Sequence, residues 1–130
     1  MSSSSRILLV DDEVAVRNLY QLYLETHGYP VIAASTVAEA LRVLKAEIIG
    51  LVILDIFLQE ESGLELLRGI VAAQIPVPVI IMSGVARGDP IFQEEIESGA
   101  AGVFTKNDPL DALLREVRRV MENSDSRKKD

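Results

Sequence analysis

Cysteine and tryptophan are absent from the 130-residue sequence, and histidine occurs once, at His27. Without cysteine the chain has no disulfide framework and no thiol for covalent chemistry. No apolar run approaches the roughly 20 residues that a membrane-spanning helix requires. The N-terminal stretch is too short, and too soon interrupted by aspartates, to be a signal peptide. These absences predict a cytoplasmic protein that does not enter membranes.

Positive charge is also scarce. The 13 lysines and arginines stand against 20 aspartates and glutamates, which gives a formal net charge of −7 at pH 7. A domain that binds duplex nucleic acid needs a basic face to displace counterions from the phosphates. The only basic run, at residues 127–129, lies in a polar tail. The composition therefore argues against direct nucleic-acid binding, and the question becomes where the carboxylates converge.

The ends of the chain differ in composition from its centre. Small, polar and charged residues predict flexible tails at residues 1–5 and 123–130. The remaining residues, 6–122, have the length of one domain and contain no internal repeat. We therefore expect a stand-alone domain, whose output must pass through contact with another protein.

Short apolar runs rich in valine and isoleucine alternate with amphipathic stretches along this domain. The five runs are residues 7–10, 31–34, 51–54, 77–82 and 102–104. Continuous runs of this kind are typical of parallel strands that helices cover on both faces. Helix signals lie between them, such as the Thr36 to Glu39 capping-box pattern, the Asp89-Pro90 start and Gly28 after the first helix. The pattern predicts an α/β fold, a doubly wound (βα)5 sandwich with a five-stranded parallel sheet.

Polar residues follow four of the five predicted strands. They are Asp11-Asp12-Glu13 after the first strand, Asp55 after the third, Ser83-Gly84 after the fourth and Lys106 after the fifth. Ligands of doubly wound sheets bind beyond the carboxyl ends of the strands, so we expect one shared pocket. Clustered carboxylates need protons or cations, and Mg²⁺ favours oxygen ligands beside a phosphate. A carboxylate nucleophile, Mg²⁺, an ammonium group and a hydroxyl donor together indicate phosphoryl transfer to aspartate.

Each of these features also has a purely structural interpretation. Paired aspartates often begin helices, and an aspartate or a Ser-Gly pair at the end of a strand often forms a turn. A lysine is usually solvated, and His27 suits the end of a helix. The structural interpretation requires all four features to coincide at one edge of the sheet, so we favour a functional site.

An ordered set of motifs extends along the chain between the two tails. Its members are residues 7–13, His27-Gly28-Tyr29, Ala40-Leu41, residues 51–55 with Gly63, residues 79–84 and residues 99–106. This set resembles the receiver domain of bacterial response regulators, the CheY-like family. The resemblance implies a flavodoxin-like strand order of 2-1-3-4-5. It also implies a role in two-component or phosphorelay signal transduction.

The resemblance assigns the phosphoacceptor role to Asp55. The implied phosphodonor is a sensor histidine kinase, a histidine phosphotransfer protein or a small molecule such as acetyl phosphate. The only catalysis that the family implies is the protein's own phosphorylation and a slow autodephosphorylation. The other implied roles are Mg²⁺ ligation by Asp11, Asp12, Asp55 and the backbone carbonyl of Phe57, phosphoryl contacts by Lys106, Ser83 and the Gly84 N–H, and a switch position at Val103.

Three positions depart from the family pattern. Val103 stands where many receivers have an aromatic switch residue, and Phe104, one step later, points to the opposite face of the strand. Asn107 replaces the proline that usually follows Lys106, so we expect a trans bond and a differently shaped loop. Gln59 replaces a second proline. These departures affect how the phosphorylated state is passed to a partner protein. We expect that partner to dock on the face formed by the fourth helix, the fifth strand and the fifth helix, which includes Phe92, Glu94, Glu95 and Val103.

Two other classes of protein are alternatives. A receiver-shaped scaffold that binds partners without phosphorylation is compatible with the missing aromatic residue. An independent enzyme on a similar sheet is less compatible. Asp11-Asp12-Glu13 cannot form the phosphate loop of a flavin-binding protein. Haloacid-dehalogenase-type phosphatases carry a second aspartate two residues after the nucleophile, where Glu13 and Val14 stand here.

Overall fold

A computed structural model describes residues 6–58, 61–85 and 88–129 of the chain, with side chains described as far as Ser124. Five strands alternate with five helices in these residues. The strands are β1 (Ile7–Val10), β2 (Val31–Ala34), β3 (Leu51–Asp55), β4 (Val79–Ser83) and β5 (Gly102–Thr105). The helices are α1 (Val14–Thr26), α2 (Val37–Ala46), α3 (Leu64–Ala72), α4 (Pro90–Glu97) and α5 (Leu110–Lys129).

The five strands form one parallel sheet in the order β2-β1-β3-β4-β5. This order confirms the predicted (βα)5 sandwich and the 2-1-3-4-5 arrangement. Val10, at the end of β1, pairs with Ala34 of β2 on one side and with Leu54 of β3 on the other. The chain winds in opposite directions from β1 and β3, so the loops that follow these two strands diverge and leave a crevice between them.

Both faces of the sheet are buried, because the strands are apolar at nearly every position. Alternate residues of each strand point to opposite faces and fill two separate cores. One core includes Leu8, Val52, Leu54 and Ile81 with Ala40, Leu66, Leu67, Ile70 and Phe92 from α2, α3 and α4. The other includes Leu9, Ile53, Ile80, Met82 and Phe104 with Tyr20, Leu24, Leu113 and Val117 from α1 and α5. Each fully buried aliphatic side chain stabilises the fold by roughly 1.5–3 kcal/mol.

The predicted helix boundaries are present. Gly28 follows α1 with a φ of 92°, a left-handed conformation in which glycine avoids the steric clash of a side chain. Thr36 caps α2 by accepting a hydrogen bond of 3.1 Å from the backbone N–H of Glu39. Asp89 caps α4 in the same way, since its Oδ1 accepts from the N–H of Ile91 at 3.0 Å. No peptide bond among the described residues is cis, which agrees with the trans bond expected before Asn107.

Helix α5 is longer than the sequence pattern suggests. It continues to Lys129, so residues 123–129 are helical where a flexible tail was predicted. This stretch contains neither glycine nor proline, and each further helical residue adds a backbone hydrogen bond once the packed turns have formed. The expected domain boundary at residue 122 stays a prediction. The other predicted tail, at residues 1–5, and Gln59 lie outside the described residues.

Two residues of the expected readout face are buried. Phe92 and Glu95 are only 3% and 4% exposed, so they cannot present their side chains to a partner, and that part of the prediction is wrong. The three-residue spacing places both on the inward face of α4, whereas Glu94 is exposed. Within the described part of the chain, no helix is both long enough and apolar enough to span a membrane.

Gly63, just before α3, has no room for a side chain. A Cβ at this position would collide with the backbone carbonyl oxygen of Asp55 and lie 3.0 Å from Leu54 Cδ1. We expect Gly63→Ala to lower the free energy of unfolding by about 1–3 kcal/mol through overpacking. Gly69, inside α3, is the matched control because a Cβ added there would have no atom within 4 Å. Gly69→Ala should stabilise by roughly 0.5–1 kcal/mol. Equal effects of the two substitutions in urea unfolding would contradict this interpretation.

Candidate functional site

The polar residues that follow the strands meet at one edge of the sheet. The strand ends are in register, because Val10 pairs with Leu54, Asp55 with Met82 and Ser83 with Thr105. Residues that follow these pairs therefore lie side by side. The structure brings together the groups that the sequence placed at the ends of four strands.

Three carboxylates form the centre of this edge. One carboxylate oxygen from each of Asp11, Asp12 and Asp55 lies within 4.8 Å of the other two. Asp11 is fully buried and Asp55 is 3% exposed. Oδ2 of Asp11 is buried and accepts no hydrogen bond among the described residues, although Oδ1 accepts from the backbone N–H of Glu13 at 2.9 Å. A buried oxygen without a donor, in an all-oxygen cluster, fits the ligand set that a divalent cation such as Mg²⁺ prefers.

The cation that the structure places against these carboxylates is the ammonium group of Lys106. Its Nζ lies 2.7 Å from Oδ2 of Asp55 and 3.1 Å from Oδ2 of Asp11, the second contact being an ion pair without hydrogen-bond geometry. A third carboxylate, that of Glu13, lies 2.8 Å from Nζ. The lysine side chain is 15% exposed, so its contacts with the buried carboxylates of Asp55 and Asp11 are shielded from solvent and are stronger than those of a surface pair.

The surroundings shift the protonation equilibria of this pair. Burial raises the pKa of the Asp55 carboxyl above its ordinary value, and the hydrogen bonds from Lys106 and the Phe57 N–H offset this only in part. Burial acts to lower the pKa of Lys106, but its hydrogen bonds to Asp55 and Glu13, together with the attraction of the Asp55 and Asp11 charges, outweigh burial and raise that pKa. Lys106 is therefore protonated at neutral pH. Additional positive charge at the site would favour the ionised form of Asp55.

Ser83 lies at the end of β4, beside these charges. The residue is fully buried, and its Oγ accepts a hydrogen bond of 3.2 Å from the backbone N–H of Val85. Its carbonyl oxygen accepts from the backbone N–H of Lys106 at 2.8 Å, which ties the lysine to β4. Gly84 is exposed, and no atom lies within 4 Å of the space where a Cβ would be. An anion could therefore approach the backbone at Gly84.

Phe57 follows β3 and contacts the site through its backbone. Its N–H donates to Oδ1 of Asp55 at 3.0 Å, which fixes the orientation of the carboxylate. The Phe57 side chain is 56% exposed, so an aromatic ring lies at the solvent edge beside the site.

The fifth strand lacks an aromatic residue on the face that carries Val103. Val103 is partly buried and packs on the core that α2, α3 and α4 share. Phe104 packs in the other core, where its ring meets that of Tyr20 edge-on with centroids 5.9 Å apart. The two residues thus lie on opposite faces of β5, as strand alternation predicts. Phe104 cannot replace the missing aromatic switch.

Several contacts of the site were not foreseen from the sequence. Glu13 was noted next to the paired aspartates, but its ion pair with Lys106 joins residues 93 positions apart. Arg17 donates to the backbone carbonyl of Asp11 at 2.9 Å, one turn into α1. Thr105 and Asn107, on either side of Lys106, bond to the loop after β4. The one signal in the sequence that could have identified these residues is that they lie close to the predicted site residues along the chain.

Comparison with known proteins agrees with the geometry. The family model for the response regulator receiver domain matches residues 7–118. The chain therefore belongs to the response regulator receiver domains, the class of two-component signalling proteins that its motifs resemble. Regulatory protein VirG of Agrobacterium tumefaciens is 34% identical over 112 residues, which cover 86% of this chain and 42% of VirG. The chain spans between about a quarter and a half of the length of the curated relatives it matches.

Solved structures show the same fold. The crystal structure of a CheY-like receiver domain protein from Methanospirillum hungatei JF-1 superposes with a TM-score of 0.84 at 27% identity, covering 94% of this chain and 97% of that one. The receiver domain of NtrX from Brucella abortus superposes with a TM-score of 0.81 at 33% identity, covering 89% of this chain and 98% of that one. Both likenesses extend over almost the whole of this chain.

Lys106 is expected to stabilise the folded protein as well as the site. Lys106→Met leaves the buried oxygens of Asp55 and Asp11 without their cation, so the free energy of unfolding should fall by about 2–4 kcal/mol at neutral pH. Without the lysine, the pKa of the Asp55 carboxyl in the folded variant rises further above its ordinary value. The loss should therefore shrink as the pH falls and Asp55 becomes protonated.

Chemical denaturation of the wild type and the variant across a pH series measures this difference. Lys45→Met is the matched control, since Lys45 is an exposed residue of α2 and should change stability little at any pH. A loss for Lys106→Met that is equal at all pH values would contradict the electrostatic explanation.

Proposed function

We propose that this protein accepts a phosphoryl group on Asp55 in a Mg²⁺-dependent reaction and signals through the state of that residue. The observation that carries the proposal is the convergence of three carboxylates within 4.8 Å of one another, with Lys106 Nζ 2.7 Å from Asp55 Oδ2. Asp55 is held in place as the last residue of β3, which is buried along its whole length. The reaction is the protein's own modification, with slow loss of the phosphoryl group as its only further catalysis.

The chemical step joins a carboxylate oxygen of Asp55 to phosphorus. The bond that breaks is phosphorus to nitrogen in a phosphohistidine donor, or phosphorus to oxygen in acetyl phosphate. The imidazole or the acetate leaves with the bonding electrons, and the product is an acyl phosphate. Phe57 N–H, which donates to Oδ1 of Asp55, keeps the carboxylate turned toward the crevice.

Lys106 and the β4 residues have roles in binding the transferred group. The Lys106 ammonium can move from the Asp55 oxygen to a phosphoryl oxygen without leaving the pocket, because it already lies between two site carboxylates. The Ser83 hydroxyl can donate to a second phosphoryl oxygen, and the open space at Gly84 leaves its N–H available to the anion.

The metal ligands in this proposal are the carboxylates of Asp11, Asp12 and Asp55 and the backbone carbonyl of Phe57. When bound, Mg²⁺ neutralises negative charge on the carboxylates and on the incoming phosphoryl group. Oδ2 of Asp11 supports this assignment, because it is buried and accepts no hydrogen bond among the described residues, although Lys106 Nζ lies 3.1 Å away. The all-oxygen composition of the cluster also supports it.

The partners follow from the same chemistry. The phosphodonor is a sensor histidine kinase or a histidine phosphotransfer protein, and the reaction takes place in the cytoplasm. The output is a change in protein contacts on the face of α4, β5 and α5. Glu94 and Val103 contribute to this face, whereas Phe92 and Glu95 act only from within the core. VirG and DctD, which match this chain over part of their length, are described as regulatory and transcriptional regulatory proteins.

A second function is favoured by one observation. On the side of β5 that faces α4, the strand itself contributes Val103 and no aromatic side chain. Phe104 packs in the opposite core. A receiver fold that lacks this relay can serve as a scaffold whose contacts do not depend on phosphorylation. The intact acidic cluster and its lysine favour the phosphoacceptor function over the scaffold.

Intact-mass measurement after incubation with acetyl phosphate and Mg²⁺ tests the proposal. We expect one added phosphoryl group on the wild type and none on Asp55→Asn, because the amide is not a nucleophile. Removal of the metal with a chelator, or loss of a metal ligand in Asp12→Asn, should lower the rate about tenfold or more, because the metal charge no longer offsets the repulsion between the remaining carboxylates and the incoming anion.

Asp89→Asn is the matched control, because Asp89 is an exposed cap of α4 rather than a member of the cluster. It should be phosphorylated like the wild type. If acetyl phosphate adds nothing, the measurement is repeated with a phosphohistidine donor. Failure with both donors would reject the phosphoacceptor function and favour the scaffold.

A further inference from the structure

The two residues on either side of Lys106 bind the loop that follows β4. Thr105 Oγ1 donates to the backbone carbonyl of Val85 at 2.9 Å, and Asn107 Nδ2 donates to the backbone carbonyl of Gly84 at 3.0 Å. The backbone N–H of Asn107 donates to Thr105 Oγ1 at 3.3 Å, which orients the threonine hydroxyl. Two successive carbonyls of the loop after β4 thus accept hydrogen bonds from side chains at and just after the end of β5.

The peptide group between Gly84 and Val85 is held at both of its ends. Its carbonyl accepts from Asn107, and its N–H donates to Ser83 Oγ at 3.2 Å. The preceding peptide group is also fixed, because the Ser83 carbonyl accepts from the Lys106 N–H. Any movement of the Ser83 hydroxyl toward the phosphoryl site breaks its bond to Val85 and leaves that peptide group held by Asn107.

We propose that Asn107 is a positioning residue that holds the Gly84–Val85 peptide group in its unphosphorylated orientation, while Thr105 fixes the adjoining Val85 carbonyl. We call these two residues and their bonds to the loop the β4–β5 latch. The latch rests on the proposed function, since it opposes a turn of the Ser83 hydroxyl away from Val85 and toward a phosphoryl group on Asp55. It lies between the phosphorylation site and the start of α5.

Residue identity at position 107 is essential to this arrangement. Proline, which usually follows the lysine in the family, has neither a side-chain donor nor a backbone N–H. Asparagine supplies both donors, and both form hydrogen bonds: the side chain to the Gly84 carbonyl and the backbone N–H to Thr105 Oγ1. Thr105 is 4% exposed, so its hydroxyl bond is shielded from water and cannot be replaced there without loss. The latch couples the site to β5 although Val103 provides no aromatic ring.

The test uses beryllofluoride, formed from beryllium and fluoride salts, which mimics a phosphoryl group on a carboxylate. Calorimetry in the presence of Mg²⁺ gives its affinity for the 130-residue chain. Asn107→Ala should bind it about three- to tenfold more tightly than the wild type, the factor that corresponds to one lost neutral hydrogen bond in the resting state. Thr105→Val, which keeps the side-chain shape, should change the affinity in the same direction.

Hydrogen exchange of the Val85 amide in the unphosphorylated protein gives a second measurement. The exchange should become faster in both variants while amides in the strands stay unchanged, because the latch is local. A general loss of stability would accelerate the strand amides as well. Asn123→Ala, an exposed asparagine at the far end of α5, is the control and should change neither quantity.

The outcomes separate the two proposals. Wild-type protein that does not bind beryllofluoride would reject the phosphoacceptor function, and the latch with it. Wild-type binding with unchanged or weaker binding by Asn107→Ala would reject the latch alone, as would unchanged exchange of the Val85 amide. Tighter binding together with faster exchange supports the latch.

Discussion

The contact between Lys106 and Asp55 is the interaction on which the rest of the site depends. Two carboxylates about 4 Å apart repel by roughly 4 kcal/mol at an effective dielectric near 20, and three such groups meet here. The strand order forces this meeting, because β1 and β3 are neighbours, Asp11 follows β1 directly and Asp55 is the last residue of β3. Lys106, from the far edge of the sheet, supplies the positive charge that allows the cluster to exist in a folded protein.

The same contact allows the site to respond when the charge at Asp55 changes. Lys106 has three carboxylate partners, of which Glu13 is largely exposed and the other two are buried. New charges at the site therefore redistribute contacts that already exist. Because the Lys106 N–H bonds to the Ser83 carbonyl, and its neighbours bond to the loop after β4, such a redistribution acts directly on β4 and β5. Readout can then depend on hydrogen bonds where other receivers use an aromatic side chain.

Much of the fold follows from local sequence patterns. Continuous apolar runs predict buried parallel strands, and Gly28, Thr36 and Asp89 mark helix ends through backbone effects that need no tertiary information. The site is predictable for a related reason: parallel strands deliver whatever follows them to one edge. Asp55 and Lys106 could therefore be placed together before any distance between them was known.

Other features depend on contacts between distant parts of the chain. Glu95 is an acidic residue that nevertheless lies buried, because its position in α4 faces the sheet. The polar end of α5 is helical because the preceding turns are packed against the sheet, which composition alone does not reveal. The bond from Asn107 to Gly84 joins two loops, and no local pattern predicts which side chains will meet there.

Chemical identification of the phosphorylated residue is the sharpest test of Asp55 as the phosphoacceptor. Borohydride converts an aspartyl phosphate to homoserine, and peptide mass analysis of the reduced protein locates it. We expect homoserine at position 55 and unmodified aspartate at positions 11 and 12. Homoserine at position 11 or 12, or a stable phosphoryl group that borohydride does not remove, would contradict the assignment of Asp55 as the phosphoacceptor.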